Sequence, residues 1–262
     1  LLMINIKIIG SGSSGNCYLA NFNGTQILLE CGLPFKTIQK ALNFKLSSIE
    51  GCLVTHEHID HSKAVKDLIK NSINVYSSFS IISKVGIASI FISPFSLSRL
   101  KSIPKNFPKL EISTLFSKDK EDTYCYMFFN RFCILPFQAI HDAQEPVSFY
   151  IKDIHTKESL LFVTDTAYMP YKIPNVNVLM VECNYVKNVI DSNVKNDSLN
   201  INLRNRIVKN HMSLETLLKA LKQANLSNLK KIYVLHLSDA NSEEKAILEA
   251  IQRQTGVIVE IC

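Results

Sequence analysis

No part of this 262-residue chain runs apolar for the roughly 18 residues a membrane-spanning helix needs. The greasiest segment, CYMFFNRFCILPF, is broken by Asn130 and Arg131. No charged segment precedes the apolar residues at the start, so a secretory signal is not expected there. There is no repeat and no low-complexity linker. There is also no C-x-x-C pair: Cys17, Cys31, Cys52, Cys125, Cys133, Cys183 and Cys262 are scattered, odd in number, and read as small core hydrophobes in a reducing compartment. The expected location is the cytoplasm, with no membrane partner. Charge of either sign is not extreme. Twenty-nine basic against 23 acidic residues leave a net +6, which is compatible with a polyanionic partner and does not require one. With 47% hydrophobic and 20% charged residues the chain is an ordinary globular sequence, long enough for one large α/β domain or two small ones.

What is present is a succession of short apolar runs. INIKII reads as a strand. NCYLANF and TQILLE flank Asn23-Gly24, a hairpin signal. GCLVT, NVYSS, RFCILPFQAI, VSFYIKD, SLLFVT, NVLMVEC, KKIYVLHL and VIVEI read as further strands, with DIHTKES as a turn. FKTIQKAL, SKAVKDLIKN and SLETLLKALKQANLS have helical spacing. So does SEEKAILEAIQRQTG, with Ser242 as N-cap and Gly256 as stop. Residues 80 to 120 are Ser-, Lys- and Pro-rich and carry no clear pattern. Hairpin-linked strands followed by alternating strands and helices imply mixed sheets covered by helices.

The chemistry concentrates in THEHIDH, residues 55 to 61. His56 and His58, two apart in an extended segment, project to one side, while Asp60 and His61 fall near the first turn of the next helix. Two ligand clusters, one from a strand end and one from a helix start, suit two adjacent metal ions. The H-E-x-x-H metalloprotease helix is excluded, because position 60 is Asp. Other strands also stop at ligand-type residues: His141 after RFCILPFQAI, Asp165 after SLLFVT, His236 after KKIYVL. Strand ends of one sheet lie side by side, which makes such residues convergent.

With these motifs the chain resembles the metallo-β-lactamase fold superfamily over nearly its whole length. THEHIDH has the form of the H-x-H-x-D-H signature, and His141, Asp165 and His236 follow in the expected order. The resemblance implies an αβ/βα sandwich, an α/β fold with two mixed β-sheets flanked by helices, formed as a single hydrolase domain over residues 1–262. Within the superfamily, GSGSSGNCYLA, HDAQEPVSFYI, VTDTAYM, VECN, RNRIVKNHMS and LHLSDAN are similar to the YycJ (WalJ) group, regarded as metal-dependent nucleases with 5′-to-3′ exonuclease action on DNA. The chain departs from those relatives at Glu30, where the superfamily has Asp, at Asn184-Tyr185-Val186, and at Asn210-His211-Met212-Ser213.

By that resemblance His56, His58 and His141 hold one metal, Asp60, His61 and His236 the second, and Asp165 bridges them. The implied activity is hydrolysis of a phosphodiester by a hydroxide shared between two divalent ions, with Asp60 and His211 as catalytic groups. Imidazole and carboxylate ligands favour Zn²⁺, with Mn²⁺ the alternative. His211 would bind the scissile phosphate or protonate the leaving oxygen, or else be a surface residue before a helix capped by Ser213. Glu182 either supports a ligand histidine from behind or pairs with a buried Arg; Glu30 supports the site in the same way. His155, in a hairpin turn, reads as surface. The basic residues of NLRNRIVK could hold a nucleic-acid backbone or belong to a solvated loop.

GSGSSG has the letters of a dinucleotide fingerprint, yet a hairpin follows it rather than a helix, so no pyrophosphate would meet a helix N-terminus. In this fold the loop is expected near the metals, where Ser13, Ser14 and Asn16 would offer polar groups to a substrate phosphate, or merely cap the turn. Nucleic acid is the leading substrate, DNA ahead of RNA. A small-molecule hydrolase (cyclic phosphodiesterase, thioesterase or lactonase) is the alternative. The chain shows neither the long insert of β-CASP nucleases nor the Gly/Pro-rich arm of ribonuclease Z. A non-catalytic scaffold would have lost ligands, and all seven are present.

Overall fold

The computed structural model describes residues 4–78, 81, 90–91, 126–128 and 131–262, the side chains of 90–91 and 126–128 excepted. The expectation left open for residues 80 to 120 therefore lies almost wholly outside the described residues. The chain runs β1 (Ile4–Gly10), β2 (Cys17–Phe22), β3 (Thr25–Leu29), α1 (Phe35–Ala41), β4 (Ile49–Val54), α2 (Ile59–Ser62), α3 (Val65–Lys70), β5 (Val75–Ser77) and β6 (Ile90–Phe91). It continues with β7 (Tyr126–Phe128), β8 (Phe132–Gln138), β9 (Val147–Asp153), β10 (Ser159–Val163), β11 (Val178–Glu182), α4 (Lys187–Lys195), α5 (Ile201–Asn210), α6 (Leu214–Lys222), β12 (Lys231–Leu235), α7 (Glu244–Thr255) and β13 (Ile258–Ile261).

Two mixed sheets result. One has six strands in the order β1-β2-β3-β4-β5-β6, antiparallel through β3 and parallel from there on. The other has seven, β13-β12-β11-β10-β9-β8-β7, parallel from β13 to β10 and antiparallel beyond. The period-two alternation of each strand decides which layer a residue joins. Leu160, Phe162, Met180 and Tyr233 face the other sheet and meet Tyr18, Phe22, Leu29 and Leu53 in a shared core. Leu161, Val163, Val181 and Val234, one residue out of phase, face outward and are covered by Leu217 and Leu221 of α6 and Ile247 and Ile251 of α7. On the far side Leu28, Cys52 and Val54 are covered by Ile38 of α1 and by Val65 and Leu68 of α3. The order is helix, sheet, sheet, helix, the sandwich the sequence implied.

Local readings hold where a side chain dictates geometry. Asn23 and Gly24 have φ of 48° and 95°, as a tight hairpin turn requires. Ser213 caps α6 by accepting from Thr216 N at 3.2 Å, and Gly256 ends α7 at φ 70°. Others need correction. SKAVKDLIKN is not one helix but the end of α2 followed by α3. Ser242 is not the cap of α7: Glu243 occupies that position, and Ser242 Oγ instead donates to Ser238 O at 2.7 Å. NLRNRIVK is not a loop but most of α5, whose Asn200 cap accepts from Asn202 N. Cys133 is disulfide-bonded rather than a free thiol, whereas Cys17, Cys31, Cys52, Cys183 and Cys262 are free.

At the edge of the sandwich, Arg131 ties the sheets together. Its guanidinium donates to Phe22 O at 2.6 Å, to Thr25 Oγ1, and at 2.8 Å to Asp153 Oδ2, a buried carboxylate on β9. Burial opposes the charge on Asp153, but the bonds from Arg131 and from His155 N outweigh it and hold its pKa below the ordinary value. A depressed folded-state pKa stabilises above the unfolded value of about 3.9 and is lost as pH falls through the folded one. Asp153→Asn is therefore expected to cost about 3 kcal/mol at pH 7. Thermal melts of variant and parent should converge below about pH 3. A gap unchanged between pH 7 and pH 3 would show that the carboxylate charge is not what holds this edge.

Candidate metal centre

The strands that carry ligand-type residues all deliver them at carboxyl ends, where open α/β sheets present their functional groups. His56 lies two residues past β4, Asp165 two past β10, His236 directly after β12, Glu182 at the end of β11 and Glu30 directly after β3. His58 precedes α2, whose first turn holds Asp60 and His61. His141 follows β8 by three residues. Six of the seven histidines in the sequence gather here; His155, exposed in the β9–β10 turn, does not.

Asp165 is the centre of the cluster. Its Oδ2 lies 3.1 Å from His61 Nε2 and 3.7 Å from both His56 Nε2 and His141 Nε2, and its Oδ1 lies 3.6 Å from His236 Nε2. Asp60 Oδ2 is 3.4 Å from His61 Nε2, and His58 Nδ1 faces His141 Nε2 at 3.3 Å. Three compact groups emerge: His56 with His58 and His141, Asp60 with His61, Asp165 and His236, and a third in which Asp165 and His236 join Glu182 and His211. The outward nitrogens are held from behind, which fixes each ring's direction. His56 Nδ1 meets Thr55 Oγ1 at 2.9 Å, His61 Nδ1 lies 3.5 Å from Glu30, His141 Nδ1 meets Asn210 O at 3.1 Å and His236 Nδ1 meets Asn184 Nδ2 at 3.2 Å. The inward His56 Nε2 and His236 Nε2 are buried without a hydrogen-bond partner, as is His61 Nδ1, which has only the charge contact with Glu30. Buried imidazole nitrogens are rarely left so, and a cation beside the inward two would satisfy them. The donor set fits divalent metal.

Electrostatics favour ligand-competent forms at His56 and Asp165, whereas at His61 burial is outweighed by the charges of Asp165 and Glu30, which raise the pKa well above the ordinary value. Burial, helped by the nearby His61, pushes His56 well below the ordinary value and so keeps it neutral. Burial opposes the charge on Asp165, yet His236 and His61 hold its carboxyl well below the usual range. Asp165, His236 and Glu30 all have positive φ, at 47°, 56° and 63°. Strain of this kind concentrates at functional sites.

The loop of residues 10–16 packs beneath the motif. Asn16 N donates to Asp60 O at 2.7 Å and Gly32 N to Asn16 O at 2.8 Å. A Cβ on Gly32 would lie 1.6 Å from Asp60 O, so only glycine allows this approach. Asn16 is fully buried, and its amide engages Gly12, Tyr18 and the His61 ring. It holds the loop to the motif with bonds of the turn-capping kind, the second of the two expectations for this residue. Ser13 lines the cavity over the cluster; Ser14 is exposed and outside that lining. Sequence reasoning missed Ser11, whose hydroxyl accepts from His236 N at 3.2 Å, as well as the supporting Thr55, the backbone oxygen of Asn210, and Asp142. Asp142 Oδ1 lies 3.3 Å from His141 Nε2, and adjacency to a ligand histidine was its available signal.

Of the two readings for Glu182, the structure places it behind histidines and not against an arginine. Its Oε1 is 2.5 Å from His211 Nδ1 and 3.8 Å from His236 Nδ1, and its Oε2 accepts from Thr166 N at 2.9 Å. Burial opposes a charge on His211, but Glu182 outweighs it and holds the pKa at about 9. The His211 ring stacks on His236 at 5.2 Å and lines the same cavity of about 220 Å³.

A family model described as the beta-lactamase superfamily domain matches residues 25–237, a span that contains every residue of the cluster. The chain belongs to the beta-lactamase superfamily, and its fold is the metallo-β-lactamase fold. Members of this fold hold divalent metal, typically two ions, and around Asp165 this chain has His and Asp groups that could hold them. The exodeoxyribonuclease WalJ of Streptococcus pneumoniae is 27% identical over 247 residues, covering 90% of this chain and 82% of that one. The exodeoxyribonuclease YycJ of Bacillus anthracis is 24% identical over 260 residues, covering 95% and 88%. Among solved structures, the metallo-β-lactamase fold protein YhfI of Bacillus subtilis superposes with a TM-score of 0.66 at 14% identity, covering 99% of this chain and 96% of that one. Among the described residues of this superfamily member, no helix is long and apolar enough to cross a membrane.

Proposed function

We propose that residues 1–262 form one hydrolase domain that cleaves phosphodiester bonds of nucleic acid, as a 5′-to-3′ exonuclease on DNA ahead of RNA. The observation that carries this is the gathering of seven ligand-type side chains, Asp165 at their centre, with the inward nitrogens of His56 and His236 buried and unpartnered. The similarity to two exodeoxyribonucleases supports the choice of substrate. His56, His58 and His141 would hold one ion, and Asp60, His61 and His236 the other, with Asp165 between them. When bound, two divalent ions supply a nucleophile from water at neutral pH and offset charge on the phosphoryl oxygens. Zn²⁺ is the favoured ion, since the set is imidazole and carboxylate with no thiolate, and Mn²⁺ is the alternative. Ser13 stands at the cavity mouth, where its hydroxyl can meet a phosphate oxygen. His211, held by Glu182, presents its other nitrogen to the cavity, where it protonates the leaving oxygen. The cytoplasm is the compartment we assign, on the majority of free thiols (Cys17, Cys31, Cys52, Cys183 and Cys262) and against the single bonded Cys133.

Basic residues near the site separate this reading from a small-molecule hydrolase. Arg204 is spent on Asp191 at 2.7 Å, whereas Arg206 is 70% exposed, lines the cavity and has only a 3.7 Å approach to Asp142. The protein loaded with Zn²⁺ or Mn²⁺ should cleave 5′-phosphorylated DNA, and its binding should weaken steeply with salt through counterion release. Arg206→Ala should weaken binding several-fold and reduce the slope of log K against log salt by about one. Weak binding indifferent to ionic strength, with hydrolysis confined to bis-p-nitrophenyl phosphate, would transfer the assignment to small substrates.

A further inference from the structure

Helix α5 ends at the metal centre and runs outward from it. Its last residue is fixed there, because Asn210 O receives His141 Nδ1 and Asn210 Nδ2 donates to Asp142 Oδ2 at 2.8 Å. On another side Arg204 bonds to Asp191 of α4, so the helix is held at two points. Leu203, Arg206, Ile207 and Asn210 have the spacing of one helical face, and all four line the cavity that contains His58, Asp165 and His211. Leu203 is 48% exposed, and neither it nor Ile207 belongs to any of the three core clusters. Among the described residues, the apolar side chains of this face are therefore not part of a core cluster but stand beside a polar, charged centre.

The cavity, at about 220 Å³, is smaller than the roughly 300 Å³ at which small-molecule sites begin. A cavity of that size does not enclose a phosphodiester, its sugar and the attached base together, so the base extends towards the exposed Leu203. Leu203 is seven residues from Asn210, or about 10 Å along the axis, the length of about three stacked bases. An attached base must therefore lie along this face. Resting on the reading of the site as a nucleic-acid hydrolase, we infer that Leu203 and Ile207 receive the unstacked nucleobase beside the scissile phosphodiester. Apolar side chains are common partners for bases taken out of a stack. A base pressed on this face cannot also be paired, so the site takes an unpaired strand end and accepts a blunt duplex only after fraying. Hydrophobic contact of this kind does not discriminate strongly between bases.

The test compares short single-stranded DNA substrates that differ only in lacking a base at one of the two nucleotides flanking the cleaved bond. The parent should cleave the complete strand about tenfold faster, in kcat/KM, than one abasic strand. Leu203→Ser should reduce kcat/KM on the complete strand to near the abasic value, so that the preference collapses. Leu203→Met, which keeps the apolar surface, should retain it. A parent that cleaves complete and abasic strands alike, or a Leu203→Ser variant that keeps the preference, overturns the inference while leaving nuclease activity intact. A parent that cleaves no nucleic acid overturns the assigned function, and this inference with it. Were the face a seam between two copies of the chain, Leu203→Ser would lower the mass measured by sedimentation and leave the base preference unchanged, which also overturns it.

Discussion

Asp165→Asn is expected to leave the protein folded, unable to retain two ions, and at least about 100-fold slower on phosphodiesters. Losing a residue that merely supports a metal ligand commonly costs about 10- to 100-fold, and Asp165 is placed as a ligand itself. Both of its oxygens face the cluster, within 3.7 Å of four histidine nitrogens. The amide keeps the shape and tolerates the left-handed backbone that this position adopts at φ 47°. It removes the one full negative charge enclosed by His56, His61, His141 and His236. Alanine would add backbone strain and confuse folding with chemistry, so asparagine is the cleaner substitution. Elemental analysis should give fewer than two ions per chain, and without added metal the variant should still melt cooperatively, at a lower temperature than the parent because the carboxylate charge favoured by His236 and His61 is gone. Two retained ions and a rate within tenfold of the parent would remove Asp165 from between the metals.

How much of this site was legible in the sequence depends on what each residue does. Residues that carry chemistry at strand ends could be read, because a buried strand that stops at His or Asp is unusual and the strands themselves show clear alternation. His56, His141, Asp165 and His236 are of this kind, His58, Asp60 and His61 stood out by their spacing beside His56, and the structure brings these seven side chains together. Residues that act through backbone atoms could not be read. Asn210 orients His141 with its carbonyl oxygen, a group every residue possesses. Asn16 carries side-chain polarity that suggested a substrate contact, but close approach to Asp60 O turned it inward and buried it. The helix α5 was hidden for a different reason. Its composition, rich in Asn and Arg with apolar residues left exposed, lacks the strong apolar stripe of α6 because its apolar face meets the cavity and not the core. The glycine-rich loop resembled a phosphate cradle, whereas Gly15 and Gly32 are there for clearance: a Cβ on Gly15 would approach Gly32 O to 2.7 Å.

His211→Ala should lower kcat on DNA by about 100-fold, the scale of a lost general acid, while the metal content stays at the parental value. The argument is geometric first. Glu182 holds Nδ1 at 2.5 Å and is itself fixed by Thr166 N, and the ring lies flat against His236 with an interplanar angle of 15°. The ring cannot rotate without breaking both contacts, so its Nε2 stays aimed into the cavity beside the metal ligands. Paired with Glu182, and with a pKa of about 9, the ring is cationic at neutral pH and has a proton to give. The leaving group makes the role measurable. A sugar oxygen leaves poorly unless protonated, whereas p-nitrophenolate leaves without a proton. His211→Ala should therefore cost less than about tenfold on bis-p-nitrophenyl phosphate. Glu182→Gln should fall between parent and His211→Ala on DNA, since the ring loses its charged partner but keeps its place. If His211→Ala loses the same factor on both substrates, the ring binds the phosphate and does not protonate the leaving oxygen. A loss of metal in that variant would instead make His211 a ligand, consistent with its position within 4.8 Å of the Asp165, Glu182 and His236 donor atoms.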